Sequence, residues 1–366
     1  MRRYTIAVLA GDGIGPEVTA EAERVLRAVE ERFGLTFVLR PYPIGAVAVA
    51  ATGQPLPEET RTAARAADAV LLGAVGHPSL DNAPKHQKPE TGLLALRALL
   101  GVYANLRPVS VHPALAHTSP LRPERLQGVD LLIVRELTGG LYYGEPRGND
   151  GVTAVNTLRY TDVEIERVAR VAFEAALGRR KQLTSVDKAN VLETSQLWRD
   201  VVNRVARDYA EVRVDHLYVD YASMRLVADP ASLDVILTEN LFGDILSDEA
   251  AVLAGSLGLL PSASLGKGPG LFEPIHGSAP DIAGKGIANP IGAIASAAML
   301  LRHGLGLHEA ADAVDQAIFA ALAAGARTRD IAGPGEAVLS TRRMGERIAD
   351  HVLQRPAPAP PVRAGT

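Results

Sequence analysis

Cysteine is absent from all 366 residues. That excludes disulfides, thiolate-bound metals and a cysteine nucleophile together. Long apolar runs are missing too: no charge-free window approaches the roughly 18 residues that a membrane helix needs. The opening Met1-Arg2-Arg3-Tyr4 leads straight into a strand pattern, without the apolar segment of a signal peptide. Nor is there a basic surplus. Lys and Arg number 38 against 42 Asp and Glu, net charge −4, with no basic stripe to track a nucleic acid. No internal repeat and no phosphate-binding P-loop are found. These absences lead to the expectation of a soluble, cytoplasmic protein with neither membrane nor nucleic acid as partner.

What is present is ordinary in bulk, 47% hydrophobic and 22% charged, and long enough for two domains. Strand-like runs alternate with helical ones. Thr5–Ala10 is rich in β formers, and 16–33 has apolar residues at helical spacing with Pro16 in its first turn. Ala69–Leu72, Leu131–Val134, Leu183–Val186, Leu217–Val219 and Leu233–Leu237 are short apolar strands, and Ile165–Leu177 is an amphipathic helix. This alternation predicts an α/β protein with largely parallel pairing. Gly139–Arg159 has β formers and glycines but no helical period, so an antiparallel excursion, an arm, is expected there. The Pro-rich segment 355–366 is expected to be disordered.

Chemistry-bearing residues gather at strand ends, where open α/β sheets bind ligands. Arg135 and Glu136 end one strand, Asp187 and Lys188 another, and Asp220 a third. Asp244 and Asp248 follow a fourth, at i and i+4 of a predicted helix, so their carboxylates share one face. Two like charges so close favour a cation between them, although acidic residues also suit a helix start. With no Cys and no ligand-spaced His pair, an oxygen-preferring Mg²⁺ or Mn²⁺ fits such a set. Arg97, Arg107 and Arg135 are three candidate carboxylate clamps, although a surface place is the commoner fate of any single arginine. Lys188 reads as a strand-end base or as an ion-pair partner of Asp187, and Tyr142 as a proton donor or as packing. Gly11–Glu17 lies between strand and helix but lacks dinucleotide-fingerprint spacing, so a tight turn is expected. The irregular 276–290 stretch enters a helix at Pro290. Asp281 within it could bind ribose hydroxyls and repel a 2′-phosphate, or the stretch could be a plain surface loop.

Together, Gly11–Glu17, Glu90–Arg97, Asn105–Pro108, Val134–Gly148, Ser185–Leu192, Asn240–Glu249, Pro261–Leu265 and Glu273–Pro290 resemble the β-decarboxylating dehydrogenases, the isocitrate/isopropylmalate dehydrogenase family. The likeness runs from Gly11 to about Arg302. It implies a fold that is not Rossmann: two α/β domains sharing a discontinuous mixed sheet. Residues 1–102 and 255–366 would form the cofactor-binding domain. Residues 103–254 would form the second domain, with the arm and a homodimer interface.

The resemblance further implies NAD-dependent oxidation and decarboxylation of a (2R,3S)-3-isopropylmalate-like hydroxy acid, a step of leucine biosynthesis. Arg97, Arg107 and Arg135 would grip the malate carboxylates. Asp244, Asp248 and a second subunit's Asp220 would hold the Mg²⁺ or Mn²⁺, with Asp220 also reaching substrate. Lys188, again from that subunit, would be the base, and Tyr142 the acid. Glu90, Leu93, Leu94 and the other subunit's Val191 would face the isopropyl group. His276, Gly277, Ser278, Ala279, Pro280, Asp281, Ile282 and Asn289 would bind the adenosine end of NAD. Malate, tartrate, isocitrate and homoisocitrate enzymes are the alternatives within the family. A phosphoryl-transfer or hydrolytic metalloenzyme and a catalytically idle paralogue are the alternatives outside it. Tyr221, beside Asp220, would either crowd the metal or pack outward.

Overall fold

The structure, a computed structural model, describes residues 3–354. The Pro-rich 355–366 segment lies outside the described residues. Among the described residues twelve strands form: β1 (Arg3–Gly11), β2 (Thr36–Pro41), β3 (Ala69–Ala74), β4 (Val102–Ser110), β5 (Asp130–Glu136) and β6 (Gly148–Asn149). They continue as β7 (Ala154–Val155), β8 (Gln182–Asp187), β9 (Arg213–Tyr218), β10 (Val235–Thr238), β11 (Pro261–Gly266) and β12 (Gly270–Pro274). Ten make one sheet in the order β2-β1-β3-β12-β11-β4-β5-β10-β8-β9.

Pairing is parallel at both ends of this sheet and antiparallel in the middle, at β12-β11, β11-β4 and β4-β5. The chain crosses the sheet's centre twice, once along β4 and once where Ala254 leads towards Pro261. The remaining pair, β6-β7, is an exposed antiparallel ribbon inside the Gly139–Arg159 excursion. Among the described residues no helix is long and apolar enough to cross a membrane.

Local chemistry sets the main elements. The Gly15–Phe33 helix has Pro16 in its first turn, where no N–H is needed, and ends on Gly34 at φ 65°. The Asp162–Leu177 helix opens with a capping box between Thr161 and Glu164. The Asn240–Ala254 helix is capped by Glu239, whose carboxylate accepts from the Leu241 and Phe242 amides, and ends on Gly255 at φ 86°.

The boundaries differ from the sequence expectations at three places. β9 ends at Tyr218, so Asp220 does not end a strand; it lies in the first turn of the Val219–Ala228 helix. β10 starts at Val235, because Leu233 closes a 3₁₀ turn. The Asn105–Pro108 segment, which is not among the expected strands, is the inside of β4. β11 pairs only with the 102–106 part of β4, so Pro108 sits where that edge has already ended and its missing N–H breaks no bond there.

Candidate active site

Alternation along β4 separates two cavities. Leu106 and Pro108 face one of about 1020 Å³, between the Asp162–Leu177 helix and the Ile291–Met299 and His308–Ala323 helices. None of the candidate side chains lines it. Arg107 points to the other face and lines a cleft of about 200 Å³ with Glu90, Leu93, Arg97, Glu273, His276 and Gly277. Glu90, Leu93 and Arg97 are i, i+3 and i+7 of the Pro89–Leu100 helix, one face of it. Leu94 does not line this cleft. The smaller space thus holds Arg97 and Arg107 with Glu90 and Leu93, and the larger one holds none of the candidate side chains.

All three arginines turn inward rather than to the surface. Arg107 is 8% exposed and Arg135 2% exposed. Arg107 donates to Asn105 Oδ1 at 2.7 Å and Ser247 Oγ at 2.6 Å, and stands 3.6 Å from Asp244 and 3.5 Å from Asp248. Desolvation and the neighbouring Arg135 lower its guanidinium to about 10, which leaves it cationic at neutral pH. Arg97 Nη2 donates to Glu273 at 2.7 Å, while its buried Nε has no partner among the described residues. A buried donor without an acceptor, beside a cleft, is what a ligand carboxylate would satisfy. Asn105, Ser247 and Glu273 were missed as sequence candidates; an Asn and a Ser on apolar elements were the available signal.

Asp244 is the meeting point. One of its oxygens takes Arg135 Nη1, and Oδ2 accepts the Tyr142 hydroxyl at 2.9 Å. Burial would raise this carboxyl, but Arg135 and Arg107 outweigh it and hold it below the ordinary aspartate range. Asp248 moves up instead, through desolvation, with Arg107 opposing and Asp244 reinforcing. Burial, then the hydrogen bond to Asp244, push the Tyr142 phenol up to about 12. Tyr142 is therefore a protonated donor across the neutral range.

Lys188 and Asp220 form a separate pair. Lys188 Nζ lies 2.5 Å from Asp220 Oδ1, whereas Asp187 is taken by Arg199 in a two-bond fork at 2.9 Å. The Lys188–Asp187 ion pair is thereby excluded. Lys188 is also only partly buried, with 28% of its side chain exposed. Among the described residues no three His, Asp or Glu side chains converge to hold a metal, so Asp220 does not join Asp244 and Asp248 within one chain. Val191, Tyr218, Tyr221, Met224 and Ile245 are exposed around this pair's elements, and Tyr221 points outward.

The 276–290 loop is buttressed from the N-terminus. Ile14 donates to Ser278 O at 2.8 Å, and a Cβ at Gly13 (φ 56°) would sit 2.0 Å from that oxygen. Glu17 accepts from the Gly284 and Gly286 amides. The Gly11–Glu17 turn is thus a prop for this loop. Within the loop, Ala279 has φ 39°, Ser278 is buried and Asp281 is exposed with no hydrogen bond or ion pair among the described residues. The His276 Nε2 atom is buried without a partner among the described residues. Asn289 bonds Asp330 at 3.0 Å and caps the following helix through Ile291 N.

Residues 5–348 match the model of the family described as isocitrate/isopropylmalate dehydrogenase. The chain belongs to that family. Its fold and its oxidoreductase class are those of the isocitrate/isopropylmalate dehydrogenases. A 3-isopropylmalate dehydrogenase of Anaeromyxobacter dehalogenans is 56% identical over 96% of this chain and 98% of that protein. One from Wolinella succinogenes is 53% identical over 97% and 99%. Among solved structures, isocitrate dehydrogenase from Methylococcus capsulatus superposes with TM-score 0.85 at 36% identity, covering 96% of this chain and all of that one. A β-decarboxylating dehydrogenase from Thermococcus kodakarensis gives 0.79 at 40% identity, over 95% and 96%.

Proposed function

We propose that this chain oxidises (2R,3S)-3-isopropylmalate with NAD⁺ and releases its β-carboxylate as CO₂, leaving 4-methyl-2-oxopentanoate, in leucine biosynthesis. The observation that carries the reading is the convergence of Arg107, Arg135 and Tyr142 on Asp244, beside a cleft whose helical face presents Leu93 and Arg97. The relatives at 53–56% identity that carry the name 3-isopropylmalate dehydrogenase support the choice of substrate.

In this reading Arg97, Arg107 and Arg135 bind the two carboxylates of the malate portion. Leu93, with Glu90 and a second copy's Val191, encloses the alkyl group, while Leu94 stands outside the cleft. An isocitrate-type third carboxylate would find an apolar leucine at this place. Lys188 Nζ of a second copy removes the hydroxyl proton during oxidation. After CO₂ leaves, the Tyr142 hydroxyl gives its proton to the enol carbon, and its high affinity for that proton keeps it loaded until then.

Asp244 and Asp248, joined by a second copy's Asp220, would hold Mg²⁺ or Mn²⁺; an all-carboxylate set suits such hard cations. When bound, the ion supplies Lewis acidity to the substrate's hydroxyl and carboxylate oxygens. NAD⁺, the hydride acceptor, would lie along 276–289, where the free carboxylate of Asp281 and the unpartnered His276 Nε2 fit a ribose and an adenine. We place the cofactor-binding domain at 1–102 with 255–366, and the second domain, which makes the homodimer, at 103–254. The exposed apolar side chains around Asp220 support that interface.

The test is NADH formation with Mg²⁺ or Mn²⁺ on 3-isopropylmalate, D-malate, tartrate, isocitrate and homoisocitrate. A kcat/KM advantage for 3-isopropylmalate that EDTA abolishes is expected. Preference for another acid would overturn the substrate assignment.

A further inference from the structure

Behind the site lies a cluster that the mechanism does not use. Asn240 is fully buried, and its side-chain amide is fully engaged. Its Nδ2 donates to Leu137 O at 3.1 Å and Gly139 O at 3.0 Å. Its Oδ1 accepts Arg135 Nε at 3.0 Å and Nη2 at 2.8 Å. One amide therefore ties together β5, which carries Arg135, the turn that carries Tyr142, and the helix that carries Asp244 and Asp248.

Tyr160 holds the backbone of Asn240. Its hydroxyl accepts the Asn240 backbone N–H at 3.0 Å and stands 3.3 Å from both Glu136 Oε2 and Glu239 Oε2. Its ring underlies the Tyr142 turn. A Cβ on Gly140, at φ 69°, would lie 2.4 Å from the phenol oxygen, and one on Gly139 would lie 2.7 Å from a ring carbon. Trp198 packs edge-on against the far side, with centroids 5.6 Å apart.

We propose that Asn240 and Tyr160 are positioning residues. Asn240 fixes the guanidinium plane of Arg135, and Tyr160 fixes the height of the Gly139–Tyr142 turn. Between them they decide where the Tyr142 hydroxyl meets Asp244. The catalytic meaning of this placement rests on the function proposed above; the placement itself does not.

Two variants of the full-length protein test it: Asn240→Ala removes the amide, and Tyr160→Phe removes the hydroxyl while keeping the ring. The first readout is the Tyr142 signal in protein labelled with ¹³Cζ-tyrosine, assigned by its loss in Tyr142→Phe. The second is steady-state kinetics on 3-isopropylmalate with NAD⁺ and Mg²⁺. The Tyr142 signal is expected to shift in both variants. kcat should fall about 10–100-fold, the usual scale for groups that orient catalytic ones, while the KM for NAD⁺ holds within about twofold. A Tyr142 signal unmoved in both variants overturns the proposal. So does an equal loss in every kinetic parameter that tracks a lowered Tm, which marks a merely structural role. If the unaltered protein turns over none of the acids, the functional reading falls, and the Tyr142 signal alone decides the positioning.

Discussion

Tyr142 and Arg135 hold the two oxygens of one carboxylate: the phenol donates to Asp244 Oδ2 at 2.9 Å, and the guanidinium takes Oδ1. Arg135 is nearly buried, and Asp244 is its carboxylate partner. The arrangement couples the state of a proton donor to the charge on a candidate metal ligand.

Asp244→Asn should therefore damage two things at once. The amide removes the charge that offsets two buried arginines, and it removes a ligand. Turnover with Mg²⁺ should fall at least about 100-fold, the scale of losing a preorganised electrostatic group. Tm should drop as well, because Arg107 and Arg135 lose a counter-charge. Kinetics with thermal melts checks both, and unchanged activity would remove Asp244 from the ligand set.

Lys188 lies apart from Asp244 in one chain, which makes shared sites testable by mixing. Lys188→Ala and Tyr142→Phe should each be inactive as pure proteins. After co-refolding, half of the dimers are mixed and one of their two sites has both groups intact. About a quarter of the original activity should return if Lys188 crosses between copies. No recovery on mixing would place both groups in a single chain's site.

In the proposed reading, discrimination between the dinucleotides falls to Asp281, an exposed acid with no hydrogen bond or ion pair among the described residues. Asp281→Ala should raise kcat/KM for NADP⁺ about tenfold and lower that for NAD⁺, since repulsion of the 2′-phosphate disappears. Measuring both cofactors on one preparation decides it; an unaltered ratio ends this role for Asp281.

The carboxylate shifts give the pH dependence a sign. Asp244 has a lowered folded-state value, so its stabilisation is present above its unfolded value and is lost as pH falls through the lowered one. Asp248 has a raised value and takes up a proton first. On acidification, the Mg²⁺ concentration for half-activation should rise before the fold weakens. Metal titrations alongside melts across the acid range would show that order. A fold lost before metal affinity would contradict it.

The parts of the site legible in the sequence are those set by local periodicity. The i, i+4 pairing of Asp244 and Asp248 needs only a helix, and the 276–290 loop shows itself by its glycines and prolines. Sequence spacing could not reveal that Arg107 is buried, because Ala104 to Pro108 alternate apolar and polar residues, a pattern that would put Asn105 and Arg107 on a solvent face. Its burial comes from β5 beside it and from the Asn240–Ala254 helix, whose Ser247 and Asp244 meet its guanidinium, both from distant parts of the chain. Asp220 was misplaced because Val219, apolar and β-branched, continues the strand composition one residue into a helix. Asn240 gave no signal beyond its polarity, since its four bonds reach residues about a hundred positions away.

Trp198 is the chain's single tryptophan. It is 2% exposed, and its nearest aromatic neighbour is Tyr160. Indole fluorescence from this protein therefore originates at one point, directly behind the residues proposed to aim Tyr142. Emission or quenching recorded while substrate is mixed in would report on that support rather than on the molecule at large. The protein carries its own optical probe at that spot, with no label to attach.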